Sequence, residues 1–317
     1  MVGLMKKLIL YFLVLFSLVM CSEPQDSGEI PVAAAEAKTP LSVYTVTYPL
    51  QYFAERIGGP HVKVSFPAPG GVDPAFWVPT SGQLADYQGA DLILLNGASY
   101  AGWLSHVSLP VSRMTDTSAS FVDRYIMAEG QVTHSHGDAG EHEHGDVAFT
   151  TWLDPLQAIE QAAAIRDALI RLRPDDAADF QQRYLTLETD LRNLDQEFSA
   201  VILALTSKTL IFSHPVYQYF IRRYDIDGYQ LHWEPDEIPT PDQWQELSQL
   251  TAPHPAELML WEGEPAAESV AGLKQIGIDS TVIDPCGNRP ETGDYLTVMH
   301  ANIANLKRAL GSKSESH

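Results

Sequence analysis

The chain has 317 residues, enough for two medium-sized domains with cores of their own. Its composition, 45% apolar and 19% charged, is that of a globular protein, and the net charge of −21 argues against nucleic acid as a partner. An acidic surface suits cations, and it equally serves solubility alone.

Lys6 and Lys7 precede an apolar run over residues 8–20. That run is too short to span a bilayer and has the form of a signal peptide, so residues 1–20 are expected to direct export. Cys21 follows Leu18-Val19-Met20, a lipobox-like setting in which Met20 stands where Gly, Ala or Ser is usual. Cys21 is therefore the expected lipid anchor, with plain signal cleavage as the alternative. Residues 21–40 are rich in Pro, Ala, Ser and Glu without periodicity and read as a tether. With Cys21 acylated, Cys286 has no partner and no disulfide forms.

From residue 41 onward strand-like and helix-like segments alternate. Residues 42–47 are β-rich, 50–57 have helical spacing, 62–66 are strand-like, 67–79 form a Gly/Pro loop, and 90–95 read as a buried strand. This βαβα order implies a parallel sheet covered by helices. Residues 130–147 interrupt it with a polar, histidine-rich loop. Helical spacing returns over 154–171, with Asp154 as N-cap and Pro155 at the first helical position. An N-terminal lobe over 41–173 is expected.

Residues 174–205 carry the clearest signal. Phe180, Tyr184, Leu187, Leu191, Leu194, Phe198, Val201 and Leu205 recur at steps of four and three, the core stripe of one long helix. A coiled-coil dimer could use the same stripe. Beyond it, strands over 210–212, 228–231, 258–261 and 281–283 alternate with helices over 216–224, 241–250, 266–275 and 295–310, giving a C-terminal lobe over 206–317. The expected fold is α/β: two lobes, each a mainly parallel sheet flanked by helices, joined by one long rigid helix, with a ligand cleft between them. In such sheets ligands lie beyond the carboxyl ends of strands. His214 and Asp284 each follow an apolar strand directly; either alone could equally be a turn residue.

The loop places His134, His136, His142 and His144 within eleven residues, among carboxylates. Neutral imidazole is the commonest protein ligand for zinc-like ions, so the four are expected to capture metal loosely; a solvated loop is the plain alternative. Cys286 and His232 are further candidate ligands, the first equally a packing residue, the second equally a surface one. Phe76, Trp77, Trp152, Trp233 and Trp261 could stack on an organic ligand or fill ordinary packing positions. The sequence holds no Gly-rich phosphate loop, nucleophile elbow or His-Glu-x-x-His motif, so an enzyme is not expected.

In order and spacing these blocks resemble the metal-specific solute-binding proteins, of zinc and manganese type, that serve bacterial ABC importers. The residues that carry the resemblance are Asp73-Pro74, Ala90-Asp91-Leu92 through Asn96-Gly97, Trp103-Leu104, the His loop, Trp152-Leu153-Asp154-Pro155 and the long helix. Beyond it come Ser213-His214 with Tyr219-Phe220, Pro239-Thr240-Pro241 and Asp284-Pro285-Cys286-Gly287. The resemblance implies a metal in the cleft with four protein ligands, at the positions of Ala75, Thr150, His214 and Asp284. Two of the four are altered, since Ala75 offers no ligand and Thr150 only a neutral oxygen.

The function so implied is extracytoplasmic: a periplasmic, membrane-anchored lipoprotein that binds zinc or a related divalent metal and delivers it to an ABC permease in the inner membrane. Its partners are then the metal ion, the permease and, through the lipid, the membrane surface. Two alternatives remain at this stage. One keeps the fold and role with a metal chelate or small organic ligand; the other is a periplasmic metal buffer or chaperone in which the His loop binds.

Overall fold

The computed structural model describes residues 38–127, 147–205 and 209–314, and the backbone alone at 133–135, 141–143 and 311–314. The signal-like segment, Cys21, His136 and His144 lie outside the described residues. The chain divides into a leading unit, Met1–Lys38, and a compact unit, Thr39–His317, to which every described strand and helix belongs.

Strands β1 (Leu41–Thr45), β2 (Val62–Ser65), β3 (Leu92–Leu95) and β4 (Met114–Asp116) form a wholly parallel sheet in the order β2-β1-β3-β4. Helix α1 (Tyr48–Gly58) crosses from β1 to β2 and buries Leu50, Phe53, Ala54 and Ile57, one helical face. Helix α2 (Ser81–Gly89), which no apolar periodicity in the sequence marks, is started by a capping box between Thr80 and Gln83. Its apolar periodicity is weak because only Tyr87 is fully buried. Around the His loop, Met127 bridges Val147, and β5 (Thr133–Ser135) pairs antiparallel with β6 (Glu141–Glu143), setting His134 opposite His142 in register.

Helix α3 (Pro155–Leu172) begins as its sequence requires: Pro155 is the first residue and the Asp154 carboxylate accepts from the Leu156 amide at 3.0 Å. A short turn, Pro174–Asp176, leads into α4 (Ala177–Leu203), about 40 Å long at 1.5 Å per residue. The expected stripe from Phe180 to Val201 is buried along it. Leu205 falls past the helix end and is only partly covered, while Ile202 fills the last core position.

The C-terminal sheet is also wholly parallel. It comprises β7 (Thr209–Phe212), β8 (Asp227–Gln230), β9 (Leu258–Trp261) and β10 (Asp279–Val282), in the order β10-β9-β7-β8. Helices α5 (Gln218–Tyr224), α6 (Pro241–Thr251), α7 (Ala267–Gln275) and α8 (Tyr295–Ser314) cover it. Helix α4 packs on α1, α3 and α8, so it links both lobes through one continuous core. Trp233 and Trp261 are fully buried beside Trp244, with ring centroids 6.1 and 4.9 Å from Trp233, in a second core under the C-terminal sheet.

The segment that follows β10 ties the lobes directly. The Gly287 carbonyl accepts from the Thr47 hydroxyl at 3.1 Å and the Tyr48 amide at 3.2 Å. The Asn288 amide donates to the carbonyls of Pro69 (2.7 Å) and Val72 (2.8 Å), and Arg289 donates to Gln51 (3.0 Å) and to the Phe66 carbonyl. The Trp152 indole donates to the Pro285 carbonyl at 2.8 Å, and Tyr295 stacks edge-on against Phe53.

Candidate metal centre

Each strand of the C-terminal sheet ends in an ionisable residue on the same side. His214 stands two residues past β7, Glu234 four past β8, Glu262 directly after β9, and Asp284 two past β10. A parallel sheet gathers such residues at its carboxyl edge, where loops are free of the ladder.

Three of them converge. His214, Glu234 and Glu262 each offer a ligand atom, and the three atoms lie within 4.8 Å of one another. The His214 Nδ1 is 3.4 Å from a Glu234 oxygen and 3.8 Å from a Glu262 oxygen. Zinc bonded at about 2.0–2.1 Å in a tetrahedron keeps its ligand atoms about 3.3–3.4 Å apart, so the first spacing already suits an ion and the second needs a small closure. His214 is 2% exposed, and the two glutamates are mostly covered. Burying carboxylates in this way is costly without a compensating cation or hydrogen bonds.

Strand order explains the membership. β8 and β9 both flank β7, so Glu234 and Glu262 approach His214 from either side, whereas β10 lies beyond β9. Two strand spacings amount to about 10 Å. Asp284 does not belong to the group around His214. Its Oδ1 accepts from the Cys286 amide at 2.7 Å, and the Asn302 side chain pairs with both its amide and its carbonyl, at 2.9 and 2.8 Å. Burial raises the Asp284 pKa, opposed by the Cys286 hydrogen bond. Asp284 still borders the region: after burial itself, the carboxylates of Glu262 and Asp284 push the Tyr217 phenol well up.

The other expected ligands stand as follows. His232 turns its ring edge-on to His214, 5.9 Å between centroids, outside the three-atom group. Cys286 is buried, and burial followed by the Asp284 charge drives its thiol far above the ordinary range, away from the thiolate that metals take. Ala75 and Thr150 are buried, and the Thr150 hydroxyl donates to the Val216 carbonyl across the lobes. Side chains of His134 and His142 lie outside the described residues.

Glu234 and Glu262 were not singled out from the sequence. A signal existed, since both follow β-type runs as His214 and Asp284 do, but an acidic residue after a strand is too common to stand out alone.

Above this group lies a cleft of about 230 Å³. Glu262, Val216 and Pro285 line it from the C-terminal lobe, and Asp73, Tyr100 and Trp152 from the N-terminal lobe. Glu262 is thus common to the ligand group and the cleft wall.

Comparison with known proteins gives a consistent result. Residues 43–309 match the family model described as "ZnuA: Zinc-uptake complex component A periplasmic". The zinc-binding protein AdcA of Streptococcus pyogenes is 25% identical over 96% of this chain, which spans 61% of that relative's length. The high-affinity zinc uptake system protein ZnuA of Bacillus subtilis is 25% identical, with 86% of this chain and 89% of the relative covered. In fold, the Zn(II)-bound ZnuA-like domain of Streptococcus pneumoniae AdcA superposes with a TM-score of 0.72 at 19% identity, over 85% of this chain and 98% of that one. With a match that spans nearly all of both lobes, the chain belongs to the ZnuA family of periplasmic zinc-uptake components.

Proposed function

We propose that this protein is the solute-binding component of an ABC importer for zinc or a related divalent metal, and that His214, Glu234 and Glu262 hold the ion. The observation that carries this reading is the convergence of one imidazole and two carboxylates at the carboxyl edge of the C-terminal sheet, beside the cleft. One nitrogen and two oxygens suit zinc and also harder divalent ions such as manganese, and the absence of a thiolate from the set disfavours soft monovalent copper. The metal is cargo, and the residues bind it without chemistry upon it, as befits a family of binding proteins. Relatives named for zinc binding support the choice of metal.

Asp284 serves here as a bordering residue that holds the Pro285–Cys286 turn, and the His loop as a loose collector of ions. Export by residues 1–20, acylation of Cys21, a periplasmic location at the membrane and delivery to a permease complete the proposal. Competition titration of the purified protein against a chromophoric chelator tests it: submicromolar zinc affinity at one site, lost in His214→Ala, is expected. A folded protein that takes no divalent ion would overturn it.

A further inference from the structure

His214, Glu234 and Glu262 leave a tetrahedral zinc one ligand short of four. The N-terminal lobe does not supply the fourth at either position where the family resemblance expects one. Ala75 has no donor, and the Thr150 hydroxyl is committed to the Val216 carbonyl. Asp284 is occupied with the Cys286 amide and held by Asn302. His232 remains, on the same edge of the C-terminal sheet.

The backbone that carries His232 is fixed on both sides. Beyond β8 the chain runs on beside β7: the Leu231 amide donates to the Phe212 carbonyl at 2.9 Å and the Trp233 amide to the Ser213 carbonyl at 2.7 Å. Burial alternates along it. Leu231 and Trp233 are buried in the second core, while His232 and Glu234 are half-buried on the other face. Glu234 already reaches His214 from that face. Beside it, the His232 ring lies 5.9 Å from the His214 ring, with the planes 83° apart. The His232 carbonyl accepts from the Gln243 side chain at 2.9 Å, and Gln243 is itself held by its capping box with Thr240. The peptide is thus pinned, and only the imidazole has freedom to adjust.

Two imidazoles bonded to one tetrahedral zinc, each nitrogen at about 2.0–2.1 Å, have ring centroids about 5.2 Å apart. The 5.9 Å between His214 and His232 leaves less than about 1 Å to close. The last torsion of a histidine side chain is broad, so this adjustment costs little. Resting on the metal reading above, we propose that His232 is the fourth ligand and decides which divalent ion is carried. The set is then two imidazoles and two carboxylates, all from the C-terminal lobe, and no bond to the ion crosses the cleft. The two glutamates neutralise a divalent cation, which a largely buried site requires. Carboxylate and water suit manganese, whereas imidazole suits zinc, so the second imidazole tips the site toward zinc.

The test titrates zinc and manganese separately against chromophoric chelators, using the purified full chain and its His232→Ala and His214→Ala variants, with melting curves to confirm the fold. The expected result for His232→Ala is a loss of zinc affinity of at least about tenfold with manganese changed by less than about threefold, so that the ratio of the two falls. With one equivalent of cobalt(II), the intense visible bands of a tetrahedral ion should weaken in the same variant. An equal loss for zinc and manganese would make His232 a residue that only shapes the site, and the proposal would fail. If His232→Ala binds zinc as the parent does while His214→Ala does not, the fourth-ligand proposal fails and the metal reading stands. If the parent chain binds no divalent ion, both fail. A crystal of the parent chain with one equivalent of zinc decides the matter without a variant: an ion bonded to His232 supports the proposal, and a water in that position overturns it.

Discussion

The Trp152 indole nitrogen donates to the Pro285 carbonyl across the interlobe cleft at 2.8 Å, and the same ring forms part of the cleft wall. One side chain thus takes part both in holding the lobes together and in shaping the ligand space. Trp152→Phe should leave that carbonyl without its donor and open a small void. The expected loss is about 1–3 kcal/mol, read as a fall in Tm of about 2–8 °C by calorimetry. An unchanged Tm would mean that the indole contributes packing alone.

The proposed ligand set ranks its members. His214→Ala removes the one imidazole between two carboxylates and should weaken zinc at least about 100-fold. Glu234→Gln and Glu262→Gln keep size and should each weaken it about 10–100-fold. Equal zinc affinity in either glutamine variant, by chelator competition, would remove that residue from the set.

Asp284 offers a pH test with a definite sign. Burial raises its pKa in the folded chain, so the folded state holds that proton more tightly than the unfolded state does. The charged carboxyl therefore costs stability above its folded pKa, and the cost disappears as pH falls below the unfolded value of about 3.9. Asp284→Asn keeps an oxygen for the Cys286 amide and removes the charge. In zinc-free protein it should raise Tm at pH 7, with the gain shrinking toward pH 4. Zinc affinity should change by less than about threefold, the behaviour of a residue beside the site and not in it.

Cys286 should be chemically quiet. Its thiol is buried and held protonated by burial and by the Asp284 charge. Iodoacetamide at pH 8 should leave the Cys286 peptide unmodified by mass spectrometry over hours in native protein and label it fully in guanidinium. Rapid native labelling would show that the thiol is open to solvent.

Removal of residues 133–145 separates the collector from the site. The variant should lose its weak, multiple zinc-binding events and keep the tight one within about threefold. Loss of all binding, with His214→Ala silent, would make the loop itself the metal buffer.

Much of the architecture was legible in the chain. Alternation of strand and helix spacing gave the two parallel sheets, and the stripe from Phe180 to Val201 marked α4 because one face of a long helix repeats the same packing demand at every turn. Asp154-Pro155 marked the start of α3 because cap and first-turn chemistry is local. β4 escaped notice, being three residues at a sheet edge with only one neighbouring strand. α2 escaped because a capping box, and not an apolar face, defines it. The site was half legible. His214 was recognisable beside its strand, yet which acids reach it depends on strand order, and the order β10-β9-β7-β8 sets β9 between β7 and β10. That order is a long-range property no local pattern carries. It brings Glu234 and Glu262 to His214 and leaves Asp284 at the margin. Trp233 and Trp261 were ambiguous for the same reason, and packing resolved both into the core.

The stitching from Pro285 to Arg289 has a consequence for how such a receptor discriminates. Its donors and acceptors join the two lobes by bonds within the chain itself. The entropy of bringing the halves together is therefore settled during folding, and little is left to exact from an incoming guest. Any movement that parts the lobes must first release Gly287, Asn288 and Arg289 from their partners, so their separation is tied to bonds that lie outside the ligand group.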